Sequence, residues 1–427
     1  MSQEVERHRA GSASAGGDRA ERGDAAGPED RVMRALLGLV SQVDPWPAEG
    51  PALREAQRAL AADVTAVSQA YTRERHAIDQ GATGEAAYRA RRRFFLPRDG
   101  AKVVKPLLEL WAAGAHPPGP RWRVLDLGAG LGSTSLGVAA TLSLLAAPGE
   151  DALVRELHVD AVEKDPGALR HFSQLARHAE ASGLPRVSVR PLAVDLRQHA
   201  LEGPYDLIVA GLVLNELLGE PALQAAARLA GLVQQLAPGG SLIVLEPALR
   251  EPTRALHEAR DALTAHPHVR IFGPCVHAGP CPMLRGPKDW CHEDVPATLP
   301  DELVTVARDA GLRFERLTYA FLTLRRADEN VSALVPEGEG QALRVVSQPL
   351  PTKGKREWFA CGEHGRVRVT RLDRHQSDVN AGFERAQRGD LVRLPVLDTA
   401  SRPMSDARVR ADTPLPGWFY AEQGPRG

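Results

Sequence analysis

Four cysteines occur in the 427-residue chain, and three of them fall within GPCVHAGPCPMLRGPKDWC, residues 273–291. Cys275, Cys281 and Cys291 are spaced C-x5-C-x9-C, and Cys361 follows in EWFACGEHG. Four thiols are the number that a tetrahedral zinc site or an iron–sulfur cluster requires. No CxxC pair is present, so the spacing is neither that of a common zinc ribbon nor of a ferredoxin run, and zinc and iron–sulfur both stay open on spacing alone. His277, His292 and His364 lie close enough in sequence to replace a thiol at a zinc site. Buried structural cysteines are the bland alternative, but three in 17 positions among Pro, Gly and charged residues do not resemble a core segment.

A second chemical signal is VLDLGAGLGSTS. Asp126, Gly128, Gly130 and Gly132 follow an apolar strand and precede a helix-like run, and glycines there let backbone turn sharply and approach a ligand. The acid precedes the glycines, D-x-G-x-G-x-G, whereas the dinucleotide fingerprint places its acid some 20 residues after G-x-G-x-x-G. The pattern resembles the first motif of class I S-adenosylmethionine methyltransferases. That resemblance extends to Glu163 at the end of the next strand, in the place of the acid that holds the ribose hydroxyls, and to Asp195 after the third strand, near the adenine. A carboxylate suits the ribose because it accepts hydrogen bonds from both hydroxyls.

The group that would catalyse transfer is less apparent. After YDLIVAG, where amine-directed methyltransferases often carry Asn/Asp-Pro-Pro-Tyr/Phe, this chain has Leu212-Val213-Leu214-Asn215-Glu216. Asn215 and Glu216 are substrate-contact candidates or simply a polar opening to a helix. Pro274-Cys275 and Pro280-Cys281 have the wording of a cytosine C5 nucleophile, but they follow the fifth strand rather than the fourth. No catalytic base can be named.

These residues need elements to position them. The alternation of strand and helix patterns from Trp122 predicts a parallel α/β sheet, with strands RVLDLG, ELHVDAVE, VSVRPLAV, YDLIVAG and SLIVLEP. Leu53, Ala56, Leu60, Val64, Val67 and Tyr71 recur at the spacing of one helix face. The resulting plan is a disordered tail over 1–30, a helical region over 31–105, and a methyltransferase-like domain over 106–334 that includes a Cys-rich metal loop, 273–292. A linker near 335–341 leads to a β-rich module over 342–397 and a loose tail over 398–427. The fold class is therefore α/β: a Rossmann-like class I methyltransferase sheet flanked by an N-terminal helical region and a small C-terminal β-rich module.

A formal net charge of −1 excludes a globally basic nucleic-acid binder, so any such surface must be local. Residues 88–105 hold seven Lys/Arg against Asp99 alone, and residues 341–395 hold eleven Lys/Arg against six acids. Both segments are candidate RNA surfaces, with Phe94, Phe95, Trp358 and Phe359 as candidates to stack on unpaired bases. No apolar run reaches the roughly 18 residues of a membrane span, and the polar N-terminus has no secretory pattern. A cytoplasmic location without membrane or DNA contact is the expectation.

Several of these stretches together resemble one family. FFLPRDGAKV, LDLGAGLG, VLNEL, LEP, GPCVHAGPCP followed by DWCH, a late cysteine and RAQRGD are similar to the methyltransferase-like assembly factors of the small ribosomal subunit, known from mitochondria with bacterial relatives. The likeness covers roughly residues 65–395. It implies S-adenosylmethionine as a cofactor, a 4Fe-4S cluster on Cys275, Cys281, Cys291 and Cys361 (zinc being the runner-up), and contact with the small ribosomal subunit and its RNA during assembly. It leaves open whether the chain is an RNA-directed methyltransferase or a non-catalytic RNA-binding assembly factor. A small-molecule or protein methyltransferase with a structural zinc loop is the third reading. A cluster joined by Cys361 would staple the β-rich module to the nucleotide fold, because metal-binding energy is folding energy.

Overall fold

The computed structural model describes residues 26–47, 49–73, 84–145, 153–195, 203–213, 221–327, 334–335, 337–395 and 405–422. Helix α1 (Pro28–Val43) opens with proline in its first turn and buries Val32, Leu36 and Val40; α2 (Gly50–Arg73) buries Leu60, Val64 and Val67. A continuous helical run then spans α3 (Glu85–Ala90), a π-helical turn (Arg91–Phe95), α4 (Leu96–Gly100), a 3-10 turn (Ala101–Val103) and α5 (Val104–Ala112). No boundary falls at residue 105. The run continues through it, and the N-terminal helices share one core with the sheet that follows.

That sheet comprises β1 (Arg121–Leu127), β2 (Glu156–Val162), β3 (Arg186–Leu192), β4 (Tyr205–Gly211), β5 (Leu236–Pro247), β6 (Val269–Gly273), β7 (Glu293–Pro296) and β8 (Arg316–Arg326). Its order is β3-β2-β1-β4-β5-β8-β6, parallel from β3 to β5, with β8 antiparallel to both its neighbours. An antiparallel strand between the fifth and sixth positions separates this order from the all-parallel dinucleotide fold; it is the class I methyltransferase order that the glycine motif implies. The central strands read as near-continuous apolar runs because helices cover both faces. Helices α6 (Ser133–Leu144) and α7 (Pro166–Ala176) join the N-terminal helices on one face, while α8 (Ala222–Gln234) and α9 (Arg250–Leu263) cover the other. The APGG stretch is part of β5, where the register against β4 shifts, rather than a turn ahead of it.

β6 and β7 occupy the same edge of β8. Gly273 pairs with Thr323 and Glu293 pairs with Tyr319, so the Cys-rich loop leaves the sheet and returns four β8 residues away. It is an insertion into one split edge strand. α10 (Asp301–Asp309) leads into β8.

The C-terminal module is a second sheet of order β14-β12-β11-β9-β13-β15, with β10 on β11. Its strands are β9 (Gln341–Val345), β10 (Leu350–Thr352), β11 (Lys355–Gly362), β12 (Gly365–Leu372), β13 (Leu391–Leu394), β14 (Ser405–Val409) and β15 (Gly417–Trp418). Leu343, Trp358, Val367, Val369, Phe383 and Val392 form its core. Two expectations about the termini are corrected. Residues 28–30, placed in the disordered tail, begin α1, because the Glu29 and Asp30 carboxylates find partners in the Tyr420 hydroxyl and the Thr298 amide. Residues 405–422, placed in the loose tail, supply β14 and β15 and bury Ala407, Val409, Trp418, Phe419 and Tyr420, apolar residues dispersed among prolines and glycines.

Between the two sheets lies a cluster of buried charge. Lys105 Nζ is 2.9 Å from Glu293, Arg344 grips both oxygens of Glu109 at 2.9 and 2.8 Å, and an Arg344–Glu293 contact of 3.5 Å joins the pairs. Gly389, at φ +90°, presses on this group: a Cβ there would fall on the Lys105 ammonium and the Glu293 carboxylate. Arg344 is held charged beyond the usual guanidinium range; burial opposes this, but Glu109 and Glu293 outweigh it. Gly389→Ala is expected to lower stability by about 3–5 kcal/mol in denaturant unfolding, as losing one member of a buried pair does, whereas Arg186→Ala in an exposed pair leaves the midpoint unchanged.

Glu29, at the edge of the cluster, is pushed up from its ordinary 4.5 to about 7 by burial, against the Tyr420 hydrogen bond and the Lys105 charge. The folded state holds a proton that the unfolded state releases, so stability falls as pH rises from 4.5 through 7. Glu29→Gln keeps an acceptor for Tyr420 and removes that loss. It should exceed the wild type by about 3 kcal/mol at pH 8 and by little at pH 4.5; an equal gain at both pH values would show that Glu29 titrates normally.

Candidate cofactor site and cysteine cluster

The glycine loop forms where β1 ends. Gly128 donates to Val162 O at 2.9 Å, and Gly128, Gly130 and Gly132 all take positive φ, which an L side chain resists. The Asp126 side chain lies beneath the loop, wholly buried, accepting from the Ser135 hydroxyl at 2.6 Å; burial pushes it up to about 7. It anchors the start of α6. Glu163 reaches the loop from the end of β2, with one oxygen accepting from Gly130 N at 3.0 Å and the other from Asp165 N at 3.0 Å. Asp195 follows β3 and is half-buried. Asn215 and Glu216 lie outside the described residues.

Three contacts of the loop were not visible in sequence order. Val213 packs where a Gly128 side chain would stand, the Phe172 ring does the same for Gly132, and Arg91 Nη2 lies 2.8 Å from the position of a Gly130 Cβ. Tyr88 donates to Asp165 at 2.8 and 2.9 Å, while Asp165 caps α7 by accepting from Gly167 N. The run from Tyr88 to Arg91 therefore forms a wall of the site.

The same helical run pairs most of the basic residues counted at 88–105 as a candidate RNA surface. Arg92 and Arg93 converge on Asp44; burial alone would raise that carboxyl, but the two guanidiniums hold it near 2. Arg89 bonds Asp63, Lys102 bonds Asp99, Lys105 bonds Glu293, and Phe94 is core. Residues 341–395 behave similarly. Arg344 is buried on Glu109; Lys355, Arg356, Arg368, Arg371 and Arg385 pair with acids; Trp358 is core, and Phe359 is half-buried under Arg366. Many basic residues of both segments are paired with acids, some within the segment (Asp99, Glu357, Glu384) and some from elsewhere in the chain.

The four cysteines, by contrast, do come together. All are free thiols, and Cys281, Met283, Cys291 and Cys361 share one small cluster with Phe359. Burial pushes Cys281 up to about 11, with Cys275 adding to it, and raises Cys291 and Cys361 further, each again with contributions from the other cysteines. His277 Nε2 stands 3.6 Å from Cys361 Sγ. Among the described residues no group of three or more His, Cys, Asp or Glu stands at metal-coordination spacing. Four sulfurs in one region have the donor chemistry of a thiophilic centre, which they would bind on losing their protons.

Helix α9 holds the Cys-rich loop in shape. Arg254 donates to Met283 O, Gly286 O and Asp289 O at 2.7–3.2 Å, Arg260 to His277 O and Gly279 O. Asp261 accepts from Cys281 N at 2.9 Å, and His257 Nε2 accepts from Cys291 N at 3.1 Å. Burial lowers His257 to about 4, in keeping with a neutral acceptor ring. Cys361 arrives from β11, directly opposite Arg344 of β9, and Arg344 reaches Glu293, two residues after Cys291.

A family model described as mitochondrial small ribosomal subunit Rsm22 matches residues 125–393, well over half of the chain. The chain belongs to the Rsm22 family. None of the curated proteins matches this Rsm22-family chain. Solved structures similar to it include a precorrin 8W decarboxylase from Methanobacterium thermoautotrophicum (17% identity, 52% of this chain and 89% of that one, TM-score 0.30). Others are a precorrin-6y C5,15-methyltransferase from Geobacter metallireducens (13%, 51% and 86%, TM-score 0.30) and an arsenic(III) S-adenosylmethionine methyltransferase from Chlamydomonas reinhardtii (18%, 62% and 85%, TM-score 0.28). The fold assignment rests on the strand order itself. Among the described residues no helix is long and apolar enough to cross a membrane.

The loop geometry separates two effects of a side chain at a glycine. Gly132 and Gly183 both have positive φ, but a Cβ at Gly132 meets the Phe172 ring while one at Gly183 meets open space. Gly183→Ala should cost about 1–2 kcal/mol from backbone strain alone, and Gly132→Ala clearly more, measured by urea unfolding. Equal losses would mean that Phe172 yields freely.

Proposed function

We propose that this Rsm22-family chain binds S-adenosylmethionine at the Asp126–Gly132 loop and works on the RNA of the small ribosomal subunit during assembly, with a 4Fe-4S cluster on Cys275, Cys281, Cys291 and Cys361. The observation that carries the cofactor reading is the Glu163 carboxylate at the rim of the glycine loop. Each of its oxygens accepts one backbone amide and keeps a lone pair for a ribose hydroxyl. Asp195 is assigned to the adenine. The cluster would supply a covalent bridge between the nucleotide fold and the β-rich module; the convergence of all four thiols supports it. The setting of this work is the cytoplasm, with neither membrane nor DNA as partner.

A second reading has its own support. Val213 lies over Gly128, which favours an assembly factor that keeps the nucleotide fold as a scaffold and binds the ribosome without transferring methyl groups.

The test is made on anaerobically purified protein. About four irons with matching sulfide per chain, lost in Cys281→Ser, support the cluster; about one zinc replaces it with a structural zinc site. Incubation with radiolabelled S-adenosylmethionine and immature small subunits separates the two functional readings. Label on RNA is the expected result, and binding to the subunit with no label on RNA or protein assigns the chain to the non-catalytic class.

A further inference from the structure

Arg91 stands apart from its neighbours. Arg92 and Arg93 are spent on Asp44, but the π-helical turn that begins at Arg91 sends this one guanidinium the other way, onto the glycine loop. Turns of this kind inside helices occur often at functional sites. The Arg91 side chain is only 18% exposed, and its one ion pair among the described residues is to Asp165 Oδ2 at 4.0 Å, beyond hydrogen-bond reach. Asp165 is already engaged: it accepts from the Tyr88 hydroxyl and from Gly167 N. A guanidinium carries five donors in a planar fork suited to a carboxylate, and no acceptor among the described residues takes them.

We propose that Arg91 is the residue that recognises the carboxylate of the ligand's amino-acid arm, so that the N-terminal helical run, and not the sheet alone, sets cofactor specificity. This inference rests on the S-adenosylmethionine reading above. The glycine loop then has two jobs. Gly130 must lack a side chain so that Arg91 can lie across it, 2.8 Å from where a Cβ would be, as well as for the ligand's own approach. The acids around the fork, Glu163 and Asp165, have their oxygens turned to backbone amides and to Tyr88. They hold the guanidinium's position through charge without occupying its donors.

The experiment uses the full chain and two probes, S-adenosylmethionine and decarboxylated S-adenosylmethionine, which keeps the amine and sulfonium and lacks only the carboxylate. Wild type should bind the first about 10- to 100-fold more tightly, the range of a charge-assisted contact. Arg91→Gln should lose that margin on S-adenosylmethionine and leave affinity for the decarboxylated probe within twofold; Arg91→Lys should keep part of it. Circular dichroism and thermal melting check that each variant folds, and Arg91→Lys carries the comparison if Arg91→Gln does not. Equal weakening toward both probes, no change, or tighter binding in Arg91→Gln would overturn the assignment while leaving the cofactor reading intact. Wild type binding neither probe would overturn both.

Discussion

The Arg344 guanidinium, buried between Glu109 and Glu293, is the contact on which the arrangement of the two sheets depends. Its side chain leaves β9 on the strand face it shares with Cys361, its direct antiparallel partner. Glu293 is the first residue of β7, just past Cys291. One ion pair therefore sets the distance between a cysteine on the second sheet and a cysteine on the loop inserted in the first. Lys105 completes the charge balance from the helical run that also carries Arg91, so the glycine loop and the thiol cluster are referred to a common fixed point.

Such a cluster is poor evidence for stability as such, because removing charges from water offsets most of what their attraction returns. Its value is in uniqueness. Two sheets held by apolar contact alone could slide past one another at small cost, whereas a bidentate guanidinium tolerates one geometry. Gly389 is part of the same device: the backbone must come so close to Lys105 and Glu293 that no side chain fits. The RAQRGD stretch thus contributes its glycine to packing and its aspartate to a turn, where Asp390 accepts from Gln387 N and Tyr420 N.

What could be read in advance was local. The five parallel strands, the glycine loop and the strands of the β-rich module carry short-range signals, whether periodicity or turn residues, and are present; Cys361 was joined to the other thiols by number and by family resemblance, not by any local signal. The fate of the arginines could not be read this way. Arg344 meets Glu109 across 235 positions and Lys105 meets Glu293 across 188, so composition alone made buried ion pairs look like an open basic surface. Arg254, His257 and Asp261 had the spacing of one helix face, but charged residues on a helix read as solvated until a loop is known to cover them. Trp418 and Tyr420 were hidden by the prolines and glycines around them, although large aromatics near a chain end are seldom left bare.

The split edge strand has a consequence for the backbone of β8. Between Tyr319 and Thr323, among the described residues, β8 has no strand partner on the side where β6 ends and β7 begins, and Ala320, Phe321 and Leu322 are nonetheless shielded from water. The excursion that carries Cys275, Cys281 and Cys291 springs from that gap, so the segment that gathers the thiols starts and ends where the ladder is broken. Keeping the loop in shape is, in this sense, what fixes the width of a break in the sheet's own ladder.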